Sequence, residues 1–152
     1  MVTGGNTTTL YGGSNQTGNI NISNINATGG TVGIIYGGNN VGGNTTDANV
    51  TINGGSVTDS VYGGGNEVDT QKAEIYLIKS GNNIPNVYGG GNQAGVTEPH
   101  IYGQGGQAEN VYGGSNQSGD VPNSEIIIDS GTFGTIYGGN NAGGVTPTSD
   151  IT

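Results

Sequence analysis

Apolar residues return to the same few positions along this chain about every 25 residues. In most copies an alternating pair comes first, such as Val50 and Ile52 or Ile75 and Leu77. A glycine and a further apolar residue such as Val57 follow, and then Val, Ile or Leu directly before Tyr-Gly-Gly. Alternation at period two puts one side of a strand inward, whereas a helix needs a stripe at i, i+3 and i+4, which no segment carries. The pattern therefore predicts short strands separated by turns.

Six tyrosines mark the repeat, each preceded by an aliphatic residue and followed by Gly-Gly-x-Asn: Tyr11, Tyr36, Tyr62, Tyr88, Tyr112 and Tyr137. The intervals between them are 25, 26, 26, 24 and 25 residues. A fixed period of this size is typical of repeat architectures, in which each copy stacks on the next. We therefore expect an all-β fold, a right-handed parallel β-helix (β-solenoid) of about six coils, as one repeat domain over residues 1–152. The expected handedness follows from the twist of β-strands.

Two kinds of stacked side-chain row follow from coils in register. The aliphatic residue before each tyrosine is expected to point inward, as one row made of Leu10, Ile35, Val61, Val87, Val111 and Ile136. The asparagine that ends each motif is expected to form a second row at a corner: Asn15, Asn40, Asn66, Asn92, Asn116 and Asn141. There each side-chain amide can bond its neighbours and the turn backbone.

Composition narrows the functional classes. A composition of 34 Gly and 30% hydrophobic residues is typical of disordered chains. The regular return of the apolar residues to the same positions of each repeat argues against disorder here. The absence of Cys leaves no disulfide or thiolate metal site. A net charge of -9 with two basic residues predicts no nucleic-acid partner. No apolar run approaches the roughly 20 residues that span a bilayer, so no membrane insertion is predicted.

The tyrosine row is the first candidate site. If the preceding aliphatic residue points inward, alternation sends each tyrosine outward as an aromatic stripe. Stacked rings with free hydroxyls suit sugar faces or a partner surface. The competing interpretation, which we favour, is that the rings only pack on each other and on the flanking Gly-Gly.

The carboxylates are scattered, which does not favour a catalytic cleft. Glu74 and Glu125 occupy equivalent slots of their repeats, with His100 in that slot between them, and the chain has no Arg. We interpret them as a solvated surface and predict no enzyme, no catalytic residue and no cofactor. His100 is the only histidine, so a built metal site is not predicted. Residues 63–69 superficially resemble a calcium-binding nonapeptide loop, but the period of this chain allows at most an incidental surface ion.

The first and last residues fit the repeat. Val2 falls in the slot that Ile52 holds in its copy, and Ile151 falls in the slot of Ile126. No polar capping element is visible, and bare coil ends are strand edges that invite pairing. We favour a stretch of a longer repeat array, with head-to-tail self-association into a filament as the alternative.

Residues 61–66 read Val-Tyr-Gly-Gly-Gly-Asn, and with the upstream stretch 49–57 they resemble the repeats of large secreted surface proteins of Gram-positive bacteria. The resemblance covers essentially the whole chain and implies an adhesin-like or fibrous role. It carries no catalytic residues. Residues 101–106 depart from the pattern as a partial second copy of the motif, and we expect a local bulge there.

The functional expectation is an extracellular structural and adhesive rod that offers many weak contacts to a glycan or to a host-surface protein. Two alternatives stay open. One is a self-assembling filament subunit, and the other is a glycan-binding or glycan-cleaving β-helix of the lyase or phage tailspike type.

Overall fold

The computed structural model describes every residue, Met1–Thr152, and consists of strands and turns without a helix. The strands are β1 (Val2–Tyr11), β2 (Asn19–Tyr36), β3 (Asn44–Asn53), β4 (Ser56–Tyr62), β5 (Thr70–Lys79), β6 (Ile84–Tyr88), β7 (Val96–Tyr112), β8 (Asn123–Tyr137) and β9 (Thr148–Ile151). All pairings are parallel and join the nine strands into one sheet. The predicted β-solenoid of about 6 turns is confirmed. No helix long and apolar enough to cross a membrane is found.

Each coil consists of two strand arms and a turn rich in Gly and Asn. β3 and β4 form the two arms of one coil and β5 and β6 those of the next, whereas β2, β7 and β8 run through the bend between arms as single strands. The pairing register shifts at this bend, as between Ile52 and Asn53. It also shifts on both sides of Gln104, so the bulge predicted over residues 101–106 is confirmed.

The core lies between the two arms and is built from the predicted inward rows. In the second arm, the residues before the motif tyrosines pair coil on coil, and the four central members are fully buried. In the first arm, Val50, Ile52, Ile75 and Leu77 are fully buried as well. Fully burying one such side chain stabilises the folded chain by roughly 1.5–3 kcal/mol. Every coil adds such side chains, so a thin core is sufficient.

One position in the inner row of the first arm lacks a side chain, and a neighbour fills the space. Gly103 pairs with Leu77 on one side and with Ile128 on the other. A Cβ at Gly103 would lie 2.8 Å from Cζ of Phe133 and 2.7 Å from Cδ1 of Ile128. The only phenylalanine of the chain therefore occupies the volume that a larger residue at position 103 would need.

The first glycine of each motif lies close to the facing arm of its coil. A Cβ on Gly37 would press on the carbonyl oxygen of Gly63 in the next coil and lie 3.1 Å from Cβ of Ala48 in the facing arm. The facing arm carries small residues and one proline at this level: Ser23, Ala48, Ala73 and Pro99 pair in one row, and Ser124 pairs with Ser149 in the last coils. The glycine is thus required by close backbone approach rather than by a left-handed φ.

Candidate functional site

The six motif tyrosines form one continuous stack along the rod. Successive ring centroids lie 4.7 Å to 4.9 Å apart, with interplanar angles between 6° and 11°. This spacing equals the separation of paired strands, so the stack follows directly from coils in register. The rings point away from the main aliphatic core and form a separate cluster, against which Ile34 packs.

The stack is not an exposed aromatic stripe, because its rings pack on each other, which was the favoured interpretation of the sequence. Tyr36, Tyr62 and Tyr88 are 5%, 5% and 4% exposed, Tyr11 and Tyr112 are half-buried, and Tyr137 at one end of the stack is 47% exposed. Each central ring is covered on both faces by its neighbours, and the hydroxyl of Tyr62 accepts a hydrogen bond from Nδ2 of Asn116 at 3.0 Å. The central rings therefore have no free face to offer a sugar.

Burial also changes the acidity of the stack. Burial, and next the neighbouring tyrosines, raise the pKa of Tyr36 and Tyr88 far above the ordinary value of 10.0. Burial likewise raises the pKa of Tyr62 and Tyr112. A phenolate inside the stack would lose its hydration and repel any second phenolate nearby.

An alkaline titration should therefore couple tyrosine ionisation to unfolding. Unfolded tyrosines ionise near pH 10 while the stacked ones stay protonated, so the stability is full below pH 10 and falls as the pH rises above it. We expect the phenolate absorbance to rise steeply together with loss of the β circular dichroism signal. Tyr137→Phe should leave this transition in place because that ring is open. Independent ionisation of most tyrosines near pH 10 in a folded rod would contradict the prediction.

The asparagine row forms an unbroken amide ladder. Nδ2 of Asn40 donates to Oδ1 of Asn15 at 2.8 Å, and Nδ2 of Asn66 donates to Oδ1 of Asn40 at 2.9 Å. The same bond joins each later pair up to Asn141, with lengths of 2.9 Å and 3.0 Å. These residues are exposed or half-buried, so the ladder borders solvent.

A more deeply placed asparagine, which the sequence did not single out, fixes the same turn. Asn39 is fully buried, and its Oδ1 accepts from the Ser14 amide at 2.7 Å. Its Nδ2 donates to the carbonyl oxygens of Gly18 and Gly42 at 3.1 Å and 3.0 Å. Asn140 makes the equivalent contact, in which its Oδ1 accepts a hydrogen bond from the Ser115 amide. The sequence signal for this contact is the variable residue x of Gly-Gly-x-Asn. It is Asn at positions 39 and 140, and in both cases it is Ser one coil earlier.

A charged flank lies on the outer surface of the first arms and consists of Lys72, Glu74, Tyr76, His100, Tyr102 and Glu125. The register places Glu74, His100 and Glu125 in one row of three successive coils, as their equivalent slots predicted. Tyr76 and Tyr102 form the adjacent row, with ring centroids 4.8 Å apart. The strand pairing thus gathers residues that are up to 53 positions apart in the sequence.

Polar contacts connect the charged flank. Nζ of Lys72 lies 2.8 Å from Oε1 of Glu74, and the hydroxyl of Tyr76 donates to Oε2 of Glu74 at 2.8 Å. Nδ1 of His100 lies 3.7 Å from Oε2 of Glu125 and 3.4 Å from the Tyr102 hydroxyl. The hydrogen bond from Lys72 lowers the pKa of Glu74, and burial with the Glu74 contact raises the pKa of Tyr76 to about 12. Glu74 is thus held as a carboxylate at neutral pH.

Beside the charged flank is a shallow polar depression of ≈ 410 Å³ with no hydrophobic lining, formed by Thr46, Asp47, Gln71, Lys72, Thr97 and Glu98. In the calcium-like stretch, Oδ1 of Asp69 accepts from the Gly95 amide at 2.7 Å and so joins two coils. No group of three or more His, Asp or Glu side chains is arranged to hold a metal ion. The depression and the charged flank can offer hydrogen bonds and opposite charges side by side.

No family model, no curated protein and no solved structure matches the chain.

Proposed function

We propose that this chain is a structural and adhesive rod segment of an extracellular bacterial surface or fibre protein, without catalytic activity. The observation that carries the proposal is the uninterrupted parallel pairing from β1 to β9. Three kinds of side-chain row accompany it along the rod axis: the aliphatic core, the tyrosine stack and the asparagine ladder. The resemblance of residues 61–66 to repeats of secreted surface proteins supports the same role.

The bonding pattern suits a stiff spacer. The chain makes 96 backbone–backbone hydrogen bonds, and those between stacked coils run along the rod axis. Because each coil is held by its neighbours through backbone bonds and stacked side chains together, bending the rod opens several contacts at once. A rod of this kind holds a repeated surface at a fixed distance from its anchor.

Adhesion would come from repetition rather than from one deep pocket. Each coil presents a short row of polar side chains, and many weak contacts on one rod add up to avidity. The largest depression is open and lined by polar residues only, which suits a solvated partner surface.

The charged flank favours a second candidate, the binding of an oligosaccharide. Tyr76 and Tyr102 supply aromatic edges, while Lys72, Glu74 and His100 supply donors and acceptors for sugar hydroxyls. This candidate requires binding only and no bond cleavage.

The rod proposal is tested by immunogold labelling of the source organism with antibodies raised against the folded chain. We expect label on intact, unpermeabilised cells or on fibres shed from them. Label found only after permeabilisation would overturn the extracellular role.

The oligosaccharide candidate is tested on a glycan array with beads coated with the chain. The double variant Tyr76→Ala and Tyr102→Ala should lose any binding seen. Thr51→Ala is the matched control, because Thr51 lies in the same outward row, one coil before Tyr76. Equal binding by the double variant would place the contact elsewhere.

A further inference from the structure

We propose that a step on the outer surface of the first arms binds a chain of amino sugars, with one sugar ring stacked on Tyr76. The proposal rests on the oligosaccharide candidate and names the place and the charge of its ligand. Three observations support it: the register of two neighbouring strands, one uncovered ring face, and carboxylates that no basic residue balances.

The step lies between β3 and β5, and both strands are paired on either side, so it has coils above and below it. At three outward positions a β3 residue pairs with a β5 residue that has a longer side chain: Asp47 with Lys72, Asn49 with Glu74 and Thr51 with Tyr76. The three β3 side chains form a low shelf, and the three β5 side chains form a wall beside it. At about 3.3 Å per residue, the shelf is about 13 Å long from Asp47 to Thr51 and has room for a short oligosaccharide.

The wall contains one uncovered aromatic face. One face of Tyr76 stacks on Tyr102, with ring centroids 4.8 Å apart and an interplanar angle of 11°. The other face is turned toward Thr51, whose side chain is too short to cover the ring. The central motif tyrosines differ, because their rings are covered on both faces. A sugar ring can therefore place its apolar face against Tyr76 while it lies on the shelf.

The polar side chains beside this face are held by contacts within the chain. The Tyr76 hydroxyl donates to Oε2 of Glu74 at 2.8 Å, and Nζ of Lys72 lies 2.8 Å from Oε1 of the same carboxylate. On the shelf, Nδ2 of Asn49 donates to Oδ1 of Asn24 at 3.3 Å, which leaves Oδ1 of Asn49 as an acceptor for a sugar amine or hydroxyl. Because these groups are already ordered, little side-chain entropy is lost when a ligand binds.

The charge beside the step favours a cationic ligand. Lys72 is the only lysine or arginine among the residues of the step and of the adjoining depression, and it is paired with Glu74. Asp47 and Glu98 lie on either side of Lys72 in the same row, and neither forms an ion pair. A protonated sugar amine is attracted to these carboxylates, whereas a uronic acid or a sulfated sugar is repelled.

Oligosaccharides of different charge test the ligand class. Short oligomers of glucosamine, N-acetylglucosamine and galacturonic acid are titrated into the chain at a mildly acidic pH, at which the glucosamine amines are protonated. We expect the glucosamine oligomer to bind most tightly and the galacturonate oligomer not to bind, and the amide resonances of Asn49 and Thr51 to shift on binding. Asp47→Asn should weaken glucosamine binding by up to about fivefold. Glu109→Gln neutralises an exposed carboxylate of the second arm and should leave binding unchanged.

Filling the shelf tests the place of binding. Thr51→Tyr adds a ring to the outward row, where it would stack on the free face of Tyr76 as Tyr102 does on the other face. The aromatic side chain suits an outward strand position, so the rod should stay folded by circular dichroism while glucosamine binding is lost. Ile127→Tyr is the matched control, because Ile127 pairs with Tyr102 and lengthens the same row at its far end. It should leave binding unchanged.

The place of binding and the ligand class fail on different results. Glucosamine binding that persists in Thr51→Tyr, or that is lost in Ile127→Tyr, would overturn the site. Equal or tighter binding of either other oligomer, or of an oligolysine peptide, would overturn the amino-sugar class. No binding of any of the three sugars would overturn the site and the oligosaccharide candidate together. The rod role does not depend on these titrations, because the labelling of cells tests it.

Discussion

Gly63→Ala is expected to lower the free energy of unfolding by about 3 kcal/mol or more, although it adds a single methyl group. The new Cβ would press on the carbonyl oxygen of Gly89 in the next coil and lie 2.9 Å from Cβ of Ala73 in the facing arm. Both neighbours belong to paired strands or their turns, so relief requires two coils to separate or the arms to spread. The loss is a large part of the roughly 5–15 kcal/mol that stabilises a typical domain.

Gly4→Ala is the control for the Gly63 variant. Gly4 has no atom within 4 Å of its would-be Cβ and no left-handed φ. Alanine should be tolerated there or stabilise slightly by reducing the freedom of the unfolded chain. The urea midpoint followed by circular dichroism compares the two variants. A Gly63→Ala midpoint that matches Gly4→Ala would show that the turns are not in close contact.

The fold could be predicted from the sequence because the period of the repeat and the alternation of apolar residues both indicate short strands in stacked coils. The spacing of the motif tyrosines set the coil length, and the inward rows followed once the residue before each tyrosine was placed in the core. Val61 and Val87 are buried as predicted. The equivalence of positions such as Glu74 and Glu125 could also be predicted, because the repeats differ in length by only one or two residues.

What the sequence did not predict is the set of contacts that particular side chains make, between coils and along a single strand. The packing of the tyrosine rings on each other was the favoured interpretation of the sequence, but the hydrogen bond from Asn116 to the Tyr62 hydroxyl was not predicted. Lys72 and Tyr76 meet Glu74 only because outward residues two apart lie side by side on a strand. Such contacts depend on side-chain rotamers, which the period of the sequence repeat does not specify.

The rod also shows how a chain with 30% hydrophobic residues stays folded. A conventional core would need more apolar side chains, but here the rings and amides stack at the same spacing as the strands. Each coil brings one aliphatic pair, one ring and one amide into contact with the same groups of its neighbours. Stability therefore grows with the number of coils rather than with the size of any one core.

The largest polar effect is expected at Asn39, where Asn39→Leu should cost about 2–4 kcal/mol. The two side chains have the same branched shape and number of heavy atoms, but the methyl groups of leucine are bulkier and form no hydrogen bonds. Leucine leaves the amide of Ser14 and the carbonyl group of Gly42 without a partner, and the carbonyl group of Gly18 keeps only its bond from the Asn44 amide. A buried group that loses its hydrogen bond costs about 1–3 kcal/mol, and Asn39 is fully buried.

Two matched variants separate burial from hydrogen bonding in this result. Asn40→Leu removes amide bonds to Asn15 and Asn66 at the solvent border, where water can replace them, and should cost about 1 kcal/mol or less. Asn140→Leu removes the same kind of contact from a half-exposed turn and should fall between the two. Urea midpoints rank the three variants, and hydrogen exchange at the Ser14 amide reports the lost bond locally. Equal costs for Asn39→Leu and Asn40→Leu would mean that the outer ladder, rather than the buried amide, fixes the turns, because both variants lose an asparagine side chain from the same motif.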